Sequence, residues 1–511
     1  MSIDPITLEI LRHALEGVAD EMGAVLKRTA YSPNIKERED FSAAVFSPDG
    51  ELVAQAEHIP VHLGSMPASV RAAIDAFPHL RDGDQVVLND PFAGGTHLND
   101  ITLVAPVFAA DRLIGYVANR AHHTDVGGDA PGSIPAGATD IAQEGMRIPP
   151  TMLGDDLVRR IKEASRTPDE REGDLHAQSG SNARGSARLR ELAVQWTIDG
   201  LLDAERALAD YAETRVRTAL AELPRGEWAF TDYLDDDGAG TQDIAIRCTL
   251  RIGEGIDVDL SESDPQVRGN VNSVAAVAQS AACFVLRCLV PQDIPVNAGC
   301  WRVLRVITKD GTVVSARPPA AVGAGNVETS QRICDAIFGA FAQAVPTLVP
   351  AASQGTMNNV LIGGTDGRGR PFSYYETIAG GAGGTPWGDG ASGVHTNMTN
   401  TRNTPIEALE HAYPFRAHRY ELREGSGGAG EHRGGDGVVR EMEILAPDAT
   451  VTLITERRRR GPWGVGGGSD GAPGRNLIDG AEVSPKVTLD VESGCVVRIE
   501  TPGGGGWRAG S

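Results

Sequence analysis

The chain has 511 residues, of which 41% are hydrophobic and 23% charged, with 62 glycines, 30 prolines and only 5% aromatics. Its 47 basic and 69 acidic residues leave a formal net charge of -22, which opposes binding to nucleic acid or to anionic membrane surfaces. The hydrophobic content excludes wholesale disorder, and the length suffices for two or three packed units of roughly 100–200 residues each.

Asp4-Pro5, followed by Leu11, Leu15, Val18, Met22 and Val25, predicts an amphipathic helix through about Lys27, with Asp4 as N-cap. No basic, apolar signal pattern marks this end, and no run of about 18 apolar residues occurs. A cytoplasmic chain without a membrane span is expected. From Phe41 the texture turns to short apolar runs. SAAVFSPDGELVAQ reads as a hairpin around Pro48-Asp49-Gly50, and VVLND, ITLVAPVF and LIGYVANRAHH as strands. The charged stretch TPDEREGD reads as a solvated loop before a helical tract from about Gly185 to Leu223. Strand character returns in AFTDYLDDDG, DIAIRCTLRI and IDVDLSESD. NSVAAVAQSAACFVLRCLV and ETSQRICDAIFGAFAQAV read as helices, the first of them buried. Beyond Arg440 the runs VTLIT, VTLDV and CVVRIE alternate like strands.

This order predicts an α+β protein with extensive mixed sheet, helical insertions and glycine-rich site loops. Four regions follow: 1–150, α+β with a metal site; 151–225, mainly helical; 226–440, α+β with glycine- and asparagine-rich loops; and 441–511, β-rich. A Rossmann unit is not expected, because neither a strand–GxGxxG–helix nor a Walker A pattern is present. Glycines cluster at 94–95, 127–128, 380–384, 425–437 and 464–468, where backbone must turn tightly or approach closely. Cys248, Cys283, Cys288, Cys300, Cys334 and Cys495 form no Cys-x-x-Cys pair and read as buried reduced thiols. The run Arg457 to Arg460 reads as a solvated or subunit-contacting loop.

The sharpest chemical signal is NDPFAGGTHLNDITLV followed by ANRAHHTDVGGDAPGS. His97 and Asp100 lie three apart, and His122, His123 and Asp125 follow at a later strand end. Two imidazoles with a carboxylate suit a catalytic divalent cation that keeps open positions. The competing reading is histidines satisfied by hydrogen bonds. AEHIPVHLGSMP adds His58, His62 and Ser65, as an acid–base loop or a polar turn. In TDIAQEGMRIPP, Glu144 reads as a general base, a partner to a ligating histidine, or a structural acceptor. The stretch GVHTNMTNTRNTP offers His395, Asn397, Asn400, Arg402 and Asn403, amides suited to a planar amide or carboxylate. The absence of Gly-x-Ser-x-Gly lowers the case for a serine hydrolase.

Taken in order along the chain, DPITLEILRHALEGVADEMG, HIPVHLGSMP, NDPFAGGTHLND, AHHTDVGG, QEGMRIPP, HTNMTNTRNTPIEALE and RRGPWGVGGG resemble the hydantoinase B/oxoprolinase family. The resemblance implies the B subunit of an ATP-dependent cyclic amide hydrolase, opening a hydantoin, 5-oxoproline or lactam ring. Its substrate would be phosphorylated by a hydantoinase A-type partner that binds the ATP, in a heterotetramer or larger assembly. It further implies a divalent metal, zinc or manganese with iron as a third option, held by His97, Asp100 and His122. His122 is preferred to His123 through the pattern His-x-x-Asp-x-Gly-Gly. His62, Asp125 and Glu144 would manage protons, while His123, His395, Asn397, Asn400, Arg402 and Asn403 would hold substrate. The alternative within the resemblance is the metal-dependent subunit of an ATP-dependent ketone carboxylase. From another class, a scaffold that only stabilises the ATPase partner would not need the three ligands.

Overall fold

The computed structural model describes residues 3–56, 59–62 and 64–510; His58 lies outside the described residues. Asp4 caps the helix Pro5–Thr29, its carboxylate accepting from the backbone N–H groups of Ile6 and Thr7. This helix and the longer Pro168–Trp196 cover one face of a six-stranded antiparallel sheet. Its order is Leu52–Ala56, Phe41–Phe46, Arg112–His122, Asp100–Ala109, Val86–Leu88 and Thr151–Met152. Strand alternation divides the two faces. Ala43, Val45, Val107 and Val117 pack against Leu11, Leu15, Val18 and Leu189. Ala44, Phe46, Val104 and Ala118 pack against Met66, Val70 and Ala73 of the helix Met66–Ala76.

A second sheet, ordered Leu304–Ile307, Ile256–Asp259, Gln242–Ile252 and Gly226–Asp236, contains the only parallel pair among the named strands described. Ile244, Ile246, Cys248 and Leu250 share a core with the helices Ala275–Leu289 and Ser330–Ala344. Two further antiparallel sheets face each other over Val360, Tyr374, Leu453, Phe415, Met442 and Ile499. One is built on Pro371–Glu376, Asn359–Thr365, Asp448–Ile454 and Lys486–Glu492. The other runs Phe415–Arg423, Gly437–Ile444, Val496–Glu500, Arg475–Ile478 and Ala481–Glu482. The architecture is α+β. No described helix is long and apolar enough to cross a membrane.

Three expectations are corrected. TPDEREGD is no solvated loop: it forms the first turns of Pro168–Trp196, where Arg171 and Asp174 are buried and paired. Asp174 also accepts the N–H groups of Tyr31 and Ser32, so its charge fastens the end of the first helix. The arginine run is likewise no solvated loop at its start. Arg457 is buried between Asp232 and Asp335 at 2.7 and 2.6 Å, and Arg458 binds Asn476. All six thiols are free and five are buried, but Cys288 is exposed.

The glycine patches are of two kinds. Gly94–Gly95 and Gly127–Gly128 turn the chain beside His97 and after His123, with Gly94 and Gly127 at positive φ. The later patches pack against one another as extended chains. Gly384 donates to Gly505, Gly435 to Ala382, Gly504 to Gly435 and Gly428 to Gly504. A Cβ at Gly434 would lie 1.9 Å from the Gly504 oxygen, and one at Gly381 2.0 Å from that of Gly435. Only a residue without a side chain allows this approach.

Candidate metal centre

The register of the first sheet builds the centre. Asp100 is the direct cross-strand partner of His122 at the end of the hairpin, so their side chains leave the same face. That face is the one on which Arg120 bonds Thr102, Ser65 and Ser69. His123, one residue on, points to the opposite face and bonds Gln178 of the long helix at 2.9 Å. His97 arrives from the preceding turn, where its carbonyl accepts the Asp100 N–H.

The three side chains converge. His97 Nε2 lies 3.0 Å from Asp100 Oδ1, His122 Nδ1 lies 3.3 Å from the same oxygen, and all three residues are buried. One ligand atom from each lies within 4.8 Å of the others. The second carboxylate oxygen is held by Thr96 Oγ1 at 3.0 Å, and by His62 Nε2 and Asn326 Nδ2 at 3.3 Å each. His62 Nδ1 contacts Ser42 Oγ at 2.9 Å. Burial alone would raise the Asp100 carboxyl, but His97 and bonds from His122 and His62 hold it well below its ordinary value. Burial lowers the His62 imidazole despite Asp100; for His97 the carboxylate outweighs burial and raises it.

Nε2 of His122 is buried without a hydrogen-bond partner, and Nε2 of His97 faces only the Asp100 carboxylate at 3.0 Å. Leaving buried nitrogen atoms unsatisfied is costly, and a cation removes that cost. The His97 Nδ1 to Gly323 carbonyl contact, at 3.3 Å, assigns a proton to Nδ1 and leaves Nε2 for a proton shared with Asp100 or for a cation. His122 is stacked on Tyr375 with ring centroids 4.6 Å apart. The donor set of two imidazoles and one carboxylate fits a divalent transition metal with open positions. Beside it lies a cavity of about 20 Å³, lined among others by Asp40, His62, Asn326, Tyr375, Thr399 and Thr401. That is room for little more than one water molecule.

The other expected residues lie differently. Glu144 does not face the cavity. Its carboxylate accepts the N–H groups of Val322 and Gly323 at 3.0 and 2.8 Å, and so fixes the carbonyl that receives His97. Burial pushes its carboxyl up to about 7, against the pull of those two N–H groups. Asp125 is spent on its own loop, paired with Arg166 at 2.9 Å and accepting from Gly127 and Gly132. Ser65 serves Arg120. In the loop 394–404, Asn397 binds Asp335, Arg402 pairs with Glu39, and Asn403 bridges Glu376 and Tyr420. His395 is half-buried, and burial followed by Arg38 lowers it to about 4. Asn400 lines a separate outer pocket. The loop reaches the cavity instead through Met398, Thr399 and Thr401.

Sequence reasoning therefore missed Asp40, Asn326, Tyr375, Thr399 and Thr401. Asn326 sits in a π-helical turn, Gly325–Thr329, ahead of Ser330–Ala344. Such a turn in a helix is a frequent mark of a functional site, but it carries no sequence signature.

Residues 4–509 match the hydantoinase B/oxoprolinase family, and the chain belongs to that family. It is 43% identical to an uncharacterised protein of Methanocaldococcus jannaschii over 99% of this chain and 91% of that protein. To 5-oxoprolinase 1 of Arabidopsis thaliana it is 39% identical over 99% of this chain, which spans only 42% of the plant protein. A putative D-/L-hydantoinase B subunit of a Pseudomonas species is 31% identical over 99% of this chain and 90% of that one. Among solved structures, the ATP-dependent caprolactamase of Pseudomonas jessenii superposes with a TM-score of 0.93 at 29% identity, covering 100% of this chain and 92% of the other. Acetone carboxylase in its nucleotide-free form gives 0.89 at 18% identity, over 99% and 76%, and shares the fold.

Proposed function

We propose that this chain is the hydrolytic B subunit of an ATP-dependent cyclic amide hydrolase, acting on a ring whose carbonyl oxygen an A-type partner subunit has phosphorylated. The observation that carries the reading is the meeting of His97, Asp100 and His122 in a buried cluster, with Nε2 of His122 unpartnered and Nε2 of His97 turned to the carboxylate. The likeness to a caprolactamase at 29% identity supports hydrolysis over ketone carboxylation. The absence of a Walker A or GxGxxG–helix motif from the sequence supports placing ATP on the partner.

In this reading one water adds to the activated carbon and the ring carbon–nitrogen bond breaks, the nitrogen taking a proton. A second water then releases phosphate and leaves a carboxylate. A divalent cation bound by His97, Asp100 and His122, whether zinc, manganese or iron, would supply Lewis acidity at the carbonyl. Gly323 and Glu144 hold His97 in the ligating tautomer, while Thr96 and Asn326 hold Asp100. His62 and Asp40, both lining the cavity, are the groups placed to take and return protons. Thr399 and Thr401 supply the hydroxyl side of the wall.

The test is to purify the chain with its A-type partner and substitute His97→Ala or Asp100→Ala. Metal per chain, by elemental analysis, should fall in both variants. Amide-dependent ATP turnover should fall by about a hundredfold or more. Full metal occupancy in both would end the ligand assignment.

A further inference from the structure

The helix Ile198–Leu220 turns an apolar stripe toward the first sheet, and one acid interrupts it. Leu201, Leu202, Ala204, Leu208 and Ala209 are buried on this stripe, and Glu205 lies among them, 5% exposed. Its Oε1 is enclosed without a hydrogen-bond partner, and among the described residues no cation is bonded to its carboxylate. A charge buried in this way is costly unless something pairs with it. Glu205 lines a cavity of about 230 Å³ between its helix, the hairpin turn at Ser47, Pro48 and Asp49, and the start of Arg112–His122. Leu113, in the wall of this cavity, and His122 stand nine residues apart on that strand, about 30 Å at the usual rise of a strand. The cavity is therefore separate from the metal centre.

The wall selects its occupant. Leu52, Val53, Leu113 and Leu202 give it an apolar body. The charged groups that share it with Glu205 are Asp49 and Glu51 from the hairpin, Arg112 from the neighbouring strand and Arg206 from the same helix. Three of these have partners of their own. Arg112 pairs with Asp199 at 2.6 Å, Arg206 with Asp203, and Glu51 with Arg302 at 3.1 Å. Among the described residues, the only three His, Cys, Asp or Glu side chains close enough to share a metal ion are His97, Asp100 and His122. The acids of this cavity thus do not converge as metal ligands, and a buried carboxylate in an apolar wall complements an organic cation instead. Burial pushes the Glu205 carboxyl up to about 8, against the pull of Arg206. The empty cavity holds that group protonated at neutral pH, and an entering cation displaces the proton.

We propose that this cavity binds the primary ammonium group of a short alkyl chain, Glu205 accepting from the ammonium while Leu52, Val53, Leu113 and Leu202 cover the methylenes. The binding stands on the cavity alone. The hydrolase reading enters only in naming a source, because opening a lactam frees an ω-amino acid with such an end; the other source is a simple amine. The carboxylate of an amino acid adds a contact to Arg112 or Arg206, each of which spends one guanidinium nitrogen on its own acid.

The experiment is calorimetric titration of the full chain with butylamine, 6-aminohexanoate and hexanoate. At pH 8.5 Glu205 is largely ionised, while an alkylamine, with a pKa of roughly 10, stays charged. Glu205→Gln keeps the shape of the side chain and removes its charge. Glu222→Gln removes an exposed carboxylate and controls for loose attraction of cations to an acidic protein. The expected result is saturable one-to-one binding of the two ammonium compounds, weakened about tenfold or more by Glu205→Gln and unchanged by Glu222→Gln. Tighter binding of 6-aminohexanoate than of butylamine supports the site and names the amino acid as its source; equal binding supports the site and names the amine. Absence of saturable binding, binding that Glu205→Gln leaves intact, or hexanoate binding as tightly as the amines overturns the site. Such a result in a chain that opens a lactam with its A-type partner leaves the hydrolase standing. Glu205-dependent binding in a chain that opens none retains the site and ends the hydrolase reading.

Discussion

A carbonyl and a carboxylate decide how His97 can bind a metal. Gly323 receives the Nδ1 proton at 3.3 Å, and Gly323 is itself held through its N–H by Glu144 at 2.8 Å, with Val322 bound by the second oxygen at 3.0 Å. Glu144 is thus a positioning residue two steps from where a cation would bind. Glu144→Gln keeps the volume but offers one acceptor where two N–H groups need one each. Its amide NH₂ then faces a donor. Metal affinity should fall about 10–100-fold, as for other partners that orient a ligating histidine, while the far-ultraviolet circular dichroism stays unchanged. Metal titration with a competing chelator reads the change, and an unaltered affinity would return Glu144 to a purely structural part. Among single residues, the grouping of His97, Asp100 and His122 was legible and its neighbours were not. His-x-x-Asp and the second strand-end histidine suffice to nominate three side chains, but only pairing tells His122 from His123 on physical grounds. The hairpin turn at Ala110–Asp111, both at positive φ, pairs Ala109 with Arg112. A bulge between Val107 and Phe108 then shifts the register by one. Without it Asp100 would oppose Ala121. Gly115 permits the irregularity, at φ 150 and with the Phe46 oxygen 2.4 Å from where its Cβ would be. Nothing in the alternation of apolar residues announces such a shift.

Charged stretches mislead at the level of elements, because a run of acids and bases looks the same whether it faces water or a partner. TPDEREGD supplies Arg171 and Asp174 to the interior, and the arginine run supplies Arg457. Arg457 joins the loop after Asp448–Ile454 to the strand Gly226–Asp236 through Asp232, and to the helix Ser330–Ala344 through Asp335. Arg332 reaches the same two carboxylates, and Lys486 reaches Glu456 at 2.6 Å. Burial would raise the Asp232 carboxyl, but Arg457 and Arg332 pull it down to about 2. Arg457→Met should therefore cost about 3–5 kcal/mol, chiefly by leaving two buried carboxylates to share Arg332 alone. The urea midpoint at pH 7 measures it. Adding Asp335→Asn to that variant should recover part of the loss, since one of the stranded charges is gone. A loss below about 1 kcal/mol would mean that water reaches the cluster and screens it. The regular helices and strands were readable because their apolar period is decided locally. The bonds from Arg457 to Asp232 and Asp335 join residues 225 and 122 apart and leave no periodic trace.

The His97–Asp100–His122 cluster belongs to the whole molecule, since its surroundings form where separate sheets meet. Asp100 and His122 come from the first sheet, Asn326 from the turn that opens Ser330–Ala344, and Tyr375 from the strand Pro371–Glu376. The last sheets are in turn joined to the body by the stacked glycine chains. Gly505 donates to Ala352, and Gln354, two residues on, donates its backbone N–H to Gly381. Glycine at these places is a packing requirement, and it can be separated from glycine's general flexibility by contrasting two substitutions. At Gly504 an added Cβ would sit 2.0 Å from the Ala382 oxygen and 2.7 Å from the Gly383 nitrogen, backbone atoms that cannot rotate away. At Gly180, within Pro168–Trp196, it would meet nothing within 4 Å. Gly504→Ala should destabilise by about 1–3 kcal/mol or more through overpacking. Gly180→Ala should stabilise by up to about 1 kcal/mol through helix propensity. Thermal denaturation of the two variants beside the parent should show midpoints displaced in opposite directions. If both rise, the glycine chains have room to spread, and their close approach does not hold the C-terminal sheets to the rest of the fold.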